Sequence, residues 1–143
     1  HDRSIEKKII DLKNFCKTQG RKLFLANNFK LAVNLDLNGV YLSSFNKQLG
    51  YKKYNIKKNF LILGSAHNFK EISFKNKQGV KLIFLSPLFK TKDYKKKLGI
   101  TKFNILSQFA KNKIIALGGI NEKNIKKLKM LKAYGFSAIS YFN

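Results

Sequence analysis

Short apolar runs alternate along this chain with longer stretches in which apolar residues recur every three or four positions. That alternation marks β/α units. Strands of a parallel sheet are covered on both faces and read as continuous apolar runs, while the helices that cover them are amphipathic. Ile5, Ile9, Leu12 and Phe15 fall on one helical face, and Gly20 follows as a stop signal. Lys22 to Ala26 then predicts a first strand, Phe29 to Leu35 a brief helix, and Gly39 to Leu42 a second strand. From Ser43 to Lys58 the chain is polar and Lys-rich, which predicts loop with some helix. A third strand, Phe60 to Ser65, ends in Ser65-Ala66-His67, and a weak helix over Asn68 to Gln78 is stopped by Gly79.

Val80 to Leu85 predicts a fourth strand that runs into Ser86-Pro87-Leu88-Phe89-Lys90-Thr91. A Lys-rich loop to about Lys97 precedes a helix near Thr101 to Ala110. Ile114 to Leu117 is the fifth strand, closed by Gly118-Gly119. Asn121 is placed to cap a helix reaching Leu131, with Ile125, Leu128 and Leu131 on one face. Phe136 to Tyr141 supplies the sixth strand, and no low-complexity linker divides the chain, so residues 1–143 read as one domain. Six strands with intervening helices suit an open sheet or an incomplete (β/α)8 barrel, because a whole barrel needs roughly 200 residues or more. The 143 residues open on His1 rather than Met. The expectation is an α/β TIM barrel lacking its first one to two β/α units, with two strand edges left unpaired.

Composition narrows the function classes. Hydrophobic residues are 44% of the chain, enough for a sizeable core and too many for a disordered segment. No apolar run approaches the roughly 20 residues that span a bilayer. The Lys7 to Leu12 stretch mixes charge with apolar residues and does not read as a signal peptide, so the cytoplasm is the expected compartment. Cys16 has no partner for an internal disulfide and lies among apolar helix positions, which suits a buried or idle thiol rather than a nucleophile. The net charge of +23 could serve a nucleic acid, but Arg3 and Arg21 are the only arginines and the lysines are scattered. Nucleic-acid sites draw on the bidentate and stacking contacts that Arg makes and Lys does not. A basic nucleic-acid-binding domain is therefore a distant alternative, one that predicts steep salt dependence.

Four stretches in order resemble the thiamine phosphate synthase/TenI family. Leu31-Ala32-Val33 through Asn38-Gly39-Val40-Tyr41-Leu42 is similar to the family's LALA…ADGVHLG. Gly64-Ser65-Ala66-His67 is similar to GxSxH, and Leu85 through Thr91 to GPVFPT. Ile115-Ala116-Leu117-Gly118-Gly119-Ile120 is similar to VAIGGI, and Tyr134 through Ser140 to the closing DGVAVIS. The resemblance covers nearly the whole chain and implies a TIM barrel of thiamine biosynthesis. Its synthases couple hydroxymethylpyrimidine pyrophosphate to thiazole phosphate, giving thiamine phosphate and pyrophosphate. Its TenI-like members are thiazole tautomerases or phosphate binders without the coupling activity. The implied partners are small phosphorylated substrates and no membrane.

Barrel active sites gather at the C-terminal ends of strands, and the last two βα loops often hold a phosphate. Gly118 and Gly119 lie at such an end, where glycine lets the backbone approach an anion and a following helix presents its N–H groups. Ser137, Ile139 and Ser140, at the close of the last strand, can add backbone and hydroxyl donors. The plainer reading of Gly118-Gly119 is a tight turn. The resemblance assigns these five residues to the phosphate of the thiazole or product. It assigns Ser65 and Thr91 to the pyrophosphate, and His67 to acid/base work suited to an imidazole titrating near neutrality. The plainer reading of His67 is a hydrogen-bonded residue at a helix N-cap. A lysine that the family pattern places after Thr91 falls on Tyr94 here, with Lys92 and Lys95 close by. Where the synthases hold Mg²⁺ with two Asp residues, this chain has Asn27 or Asn28 and then Asn46. An amide oxygen is an uncharged and weaker ligand for a hard cation.

Overall fold

The computed structural model describes residues 3–92, 96–139 and 141. The expected β/α units follow one another as α1 (Arg3–Thr18), β1 (Phe24–Ala26), α2 (Phe29–Asn34), β2 (Gly39–Leu42), β3 (Leu61–Ala66), α3 (Phe69–Gln78), β4 (Leu82–Leu85), α4 (Gly99–Ser107), β5 (Lys113–Leu117) and β6 (Gly135–Ser137). All strands run parallel, each beside its neighbour in sequence. Among the described residues β1 pairs only with β2 and β6 only with β5, so the sheet is open: a (β/α) barrel not closed on itself.

The core lies where the strands meet the helices. Val40, Leu42, Ile83, Leu85 and Ala116 of the sheet are fully buried, and Ala32, Ile72 and Phe103 pack on it from the helices. Truncating one such Leu or Ile to Ala typically costs about 2–5 kcal/mol, lost transfer energy plus a cavity. Phe29 of α2 stacks on Tyr51 with ring centroids 4.1 Å apart and meets Phe60 edge-on. The amphipathic α1 contributes no buried residue, and Ile5 and Phe15 remain 52% and 56% exposed.

Several boundaries move for local reasons. β1 starts at Phe24 because the Leu23 N–H is taken by the Asn38 Oδ1 at 2.8 Å rather than by a neighbouring strand. The Ser43–Lys58 stretch holds one 3-10 turn, Tyr51–Lys53, and is otherwise loop. α4 begins at Gly99 and ends at Ser107, earlier than the Thr101 to Ala110 expected. The helix expected from Asn121 to Leu131 is a 3-10 helix, Ile125–Met130, flanked by Asn124. Asn121 does not cap it. Its N–H is accepted by Asn124 Oδ1 and its own Oδ1 accepts from Lys123, so the two asparagine side chains satisfy the backbone of a turn instead. β6 closes at Ser137, short of Tyr141.

One consequence governs the site. Because every strand is parallel, the residues directly after β1 to β5 (Asn27, Ser43, His67, Ser86 and Gly118) lie along one edge of the sheet, in that order.

Candidate active site

At the β4–β6 side of this edge a cleft of about 840 Å³ opens, walled by Ser86, Lys90, Thr91, Lys92, Gly118, Gly119, Asn121 and Ile139. A smaller cavity of about 290 Å³, beside Val33, Asp36 and Lys57, lies at the other end of the strands and away from these groups. The glycines shape the larger cleft. Gly118 and Gly119 have φ of +101° and +67°, and a Cβ on Gly119 would lie 2.5 Å from the Lys90 carbonyl oxygen. On Gly118 it would lie 2.8 Å from Pro87 Cα. The Leu88 N–H donates to Leu117 O and the Phe89 N–H to Gly118 O, stitching the segment after β4 onto the end of β5. This close approach requires glycine and carries Lys90 and Thr91 to the rim. The tight turn expected at Gly118-Gly119 is thus present, and it forms part of the cleft lining.

Of the expected phosphate residues, Gly118, Gly119 and Ile139 line the cleft, Ile139 with 84% of its surface exposed, and Ser137 sits next to them, paired in register with Leu117. Ser140 lies outside the described residues, as do Tyr94 and Lys95. Thr91 and Lys92, expected at a pyrophosphate, line the rim of the cleft. The helix N-terminus expected to face the anion is corrected: only a six-residue 3-10 helix follows, and it starts beyond the Asn121–Asn124 turn.

His67 joins this cleft through Ser86. Its Nδ1 lies 2.8 Å from the Ser86 carbonyl oxygen and 3.2 Å from Ser86 Oγ. A carbonyl only accepts, so the neutral ring carries its proton on Nδ1 and Nε2 is the basic nitrogen. The helix cap is Asn68, not His67. Asn68 Oδ1 accepts from the Glu71 N–H, while the Glu71 carboxylate accepts from Asn68 Nδ2 and the His67 N–H, a reciprocal capping box that fixes the His67 backbone. Ser65, 9% exposed, lies two residues before His67 on β3. Ser86 and Lys90 were not singled out from sequence, although both stand inside the Leu85-to-Thr91 stretch.

The β1–β3 side of the edge is built differently. Asn27, held at φ +56°, donates from Nδ2 to Ser43 Oγ at 2.8 Å, and its Oδ1 accepts from the Ser43 N–H at 2.9 Å and from Asn46 Nδ2. Asn46 Oδ1 accepts from the Gln48 N–H, the Tyr51 hydroxyl and Gln78 Nε2. Asn28 Oδ1 caps α2 through the Leu31 N–H. Beneath them the fully buried Lys75 donates to the carbonyls of Ser43 at 2.7 Å and Asn46 at 3.1 Å, and to Gln78 Oε1 at 2.9 Å. Burial pushes the Lys75 ammonium down from 10.5 to about 8, opposed by the nearby Glu71 carboxylate. Mg²⁺ seeks several oxygens with free lone pairs and prefers carboxylates. Here the amide oxygens are already accepting, an ammonium is already present, and no group of three His, Cys, Asp or Glu among the described residues could hold a metal. The three asparagines do not fit Mg²⁺.

The family model described as thiamine monophosphate synthase matches residues 1–142. Curated relatives include a protein of Aquifex aeolicus (strain VF5) named "Putative thiamine-phosphate synthase 2", 28% identical over 99% of this chain and 76% of its own length. A thiamine-phosphate synthase of Prochlorococcus marinus is 29% identical over 83% of this chain, which spans only 35% of that protein. Among solved structures, a thiamine phosphate pyrophosphorylase from Pyrococcus furiosus superposes with a TM-score of 0.71 at 20% identity, covering 96% of this chain and 66% of that one. That likeness concerns the fold.

Proposed function

The chain belongs to the thiamine monophosphate synthase family, and from that premise we propose that it serves thiamine phosphate synthesis, binding thiazole phosphate and hydroxymethylpyrimidine pyrophosphate in the β4–β6 cleft. The observation that carries this reading is the cleft itself: a glycine-lined floor at the strand ends with Lys90, Thr91 and Lys92 on its rim. In the coupling, the thiazole nitrogen forms a bond to the pyrimidine methylene carbon as the carbon–oxygen bond breaks, and pyrophosphate departs with the electron pair. The protein's part is positioning and stabilisation of charge on the leaving group. Lys90 and Lys92 supply cationic donors for it, and the Gly118–Gly119 backbone seats the thiazole phosphate. No step is assigned to a metal. No helix of the described residues is long and apolar enough to cross a membrane, and the reading places the reaction in the cytoplasm.

A second reading, a TenI-like thiazole tautomerase, is favoured by one observation: His67, held by Ser86 of the cleft wall, has Nε2 as a base of defined tautomer. The two readings separate in one assay. The full chain is incubated with both substrates, with and without Mg²⁺, and thiamine phosphate is measured alongside thiazole isomerisation. Thiamine phosphate that disappears with Lys90→Ala/Lys92→Ala supports synthase chemistry. Isomerisation lost in His67→Gln without coupling supports the tautomerase. Failure to bind thiazole phosphate at all would overturn both.

A further inference from the structure

The loop after β2 carries a cation of its own. Lys75 leaves α3, its stem runs across Gly64 of β3, and its ammonium ends beneath Ser43 and Asn46. The stem packs closely on Gly64, where a Cβ would lie 3.1 Å from Lys75 Cδ and 3.0 Å from the Leu42 carbonyl oxygen. The ammonium has three oxygen acceptors within 3.1 Å, and above them the Asn27 and Asn46 amides are saturated by N–H and O–H donors. No buried polar side-chain atom among the described residues is left without a partner. A divalent ion entering here would have to displace donors from each amide oxygen and sit against a buried positive charge, two costs that a low-dielectric site magnifies.

We propose that the Lys75 ammonium, with the Asn27–Asn46–Gln78 amides, organises this loop in place of a divalent metal, and that the protein binds its phosphorylated ligands without Mg²⁺. The second half rests on the phosphate reading of the cleft; the first half does not.

The test uses Mn²⁺ as a spin-active stand-in for Mg²⁺, titrated into the full chain. It is followed by EPR and by line broadening of side-chain amide signals in nitrogen-correlated NMR. The expected result is no saturable uptake that broadens the Asn27, Asn46 and Gln78 amides, and affinity for inorganic phosphate equal within about twofold in Mg²⁺ and in chelator. One Mn²⁺ per chain that broadens those three amides would overturn the proposal. So would phosphate binding that requires the metal. A charge swap sharpens it. Asn27→Asp/Asn46→Asp/Lys75→Met returns carboxylates and removes the ammonium, and should take Mn²⁺ at this loop at least about tenfold more tightly than wild type. A folded triple variant no better than wild type would show that Lys75 does not occupy a cation's place. Should the triple variant fail to fold, the wild-type titration decides alone. Absence of phosphate binding in both conditions would sink the phosphate reading of the cleft, while the Mn²⁺ result would still decide the role of Lys75.

Discussion

The two halves of the sheet's C-terminal edge solve opposite problems. On the β4–β6 side the glycines open a cleft and the lysines at its rim point toward solvent. On the β1–β3 side a lysine is fully buried, and the amides around it bond one another. The same residue type therefore means different things. An exposed lysine keeps its hydration and can exchange it for an anion, whereas a buried one is retained only with its hydrogen bonds satisfied. Open concavity with cationic donors is what the proposed phosphate site needs, and saturation marks a structural knot.

The sharpest break of this comparison comes at Gly119. Gly119→Ala combines a left-handed backbone with a Cβ 2.5 Å from the Lys90 carbonyl, and should cost about 3 kcal/mol of stability and remove phosphate binding. Denaturant unfolding and phosphate titration read both effects. Gly20→Ala is the control: φ there is +64° with nothing within 4 Å, so the expected cost is about 1 kcal/mol with binding intact. Equal costs at the two positions would mean that close approach to Lys90 does not constrain the cleft.

Next in size is Lys75→Met. It removes one of two hydrogen bonds from each of the Ser43 and Asn46 carbonyls, which keep the Asn46 N–H and Gln78 Nε2, and it strands the Gln78 amide oxygen; it should destabilise the fold by about 2 kcal/mol. Phosphate affinity should stay within about twofold of wild type, because the knot and the cleft are distinct. A large affinity loss with little unfolding would reverse the roles assigned to the two regions. Lys90→Ala/Lys92→Ala should do the converse. Stability should hold within about 0.5 kcal/mol, while phosphate binding weakens by about 1 kcal/mol per lysine at low ionic strength and less in salt.

How much of this could be read from the chain follows the same divide. The parallel β/α order was legible because apolar runs such as Val80 to Leu85 admit few alternatives, and Gly39–Leu42 was placed to the residue. The Gly118–Gly119 turn was legible because it belongs to a short local motif. The helix after Asn121 was misread, since asparagine suits either a cap or a turn and only the Asn124 partner decides. His67 was read without its partner, because Ser86 lies nineteen residues on and meets it only through β3–β4 pairing. Lys75 was missed altogether. One signal existed: Ile72, Lys75 and Gln78 recur every three residues on the buried stripe of α3, where a lysine and a glutamine would be out of place unless they bonded to something.

The last expected effect is a pH dependence that belongs to the buried lysine alone. Its ammonium titrates near 8 in the folded protein and near 10.5 when exposed, because burial disfavours the charge. Below about pH 8 both states hold the proton, and the cost of burying the charge is fully present. Between about 8 and 10.5 the unfolded chain binds more protons than the folded one, so this group makes stability rise with pH. The measurement is a difference, the stability of wild type minus that of Lys75→Met, in which titrations common to both chains cancel. It should increase from about pH 8 to about pH 10. A flat difference would mean that the ammonium is as well solvated by the Ser43, Asn46 and Gln78 oxygens as by water, and that the contrast between the two ends of the sheet edge is one of geometry rather than of charge.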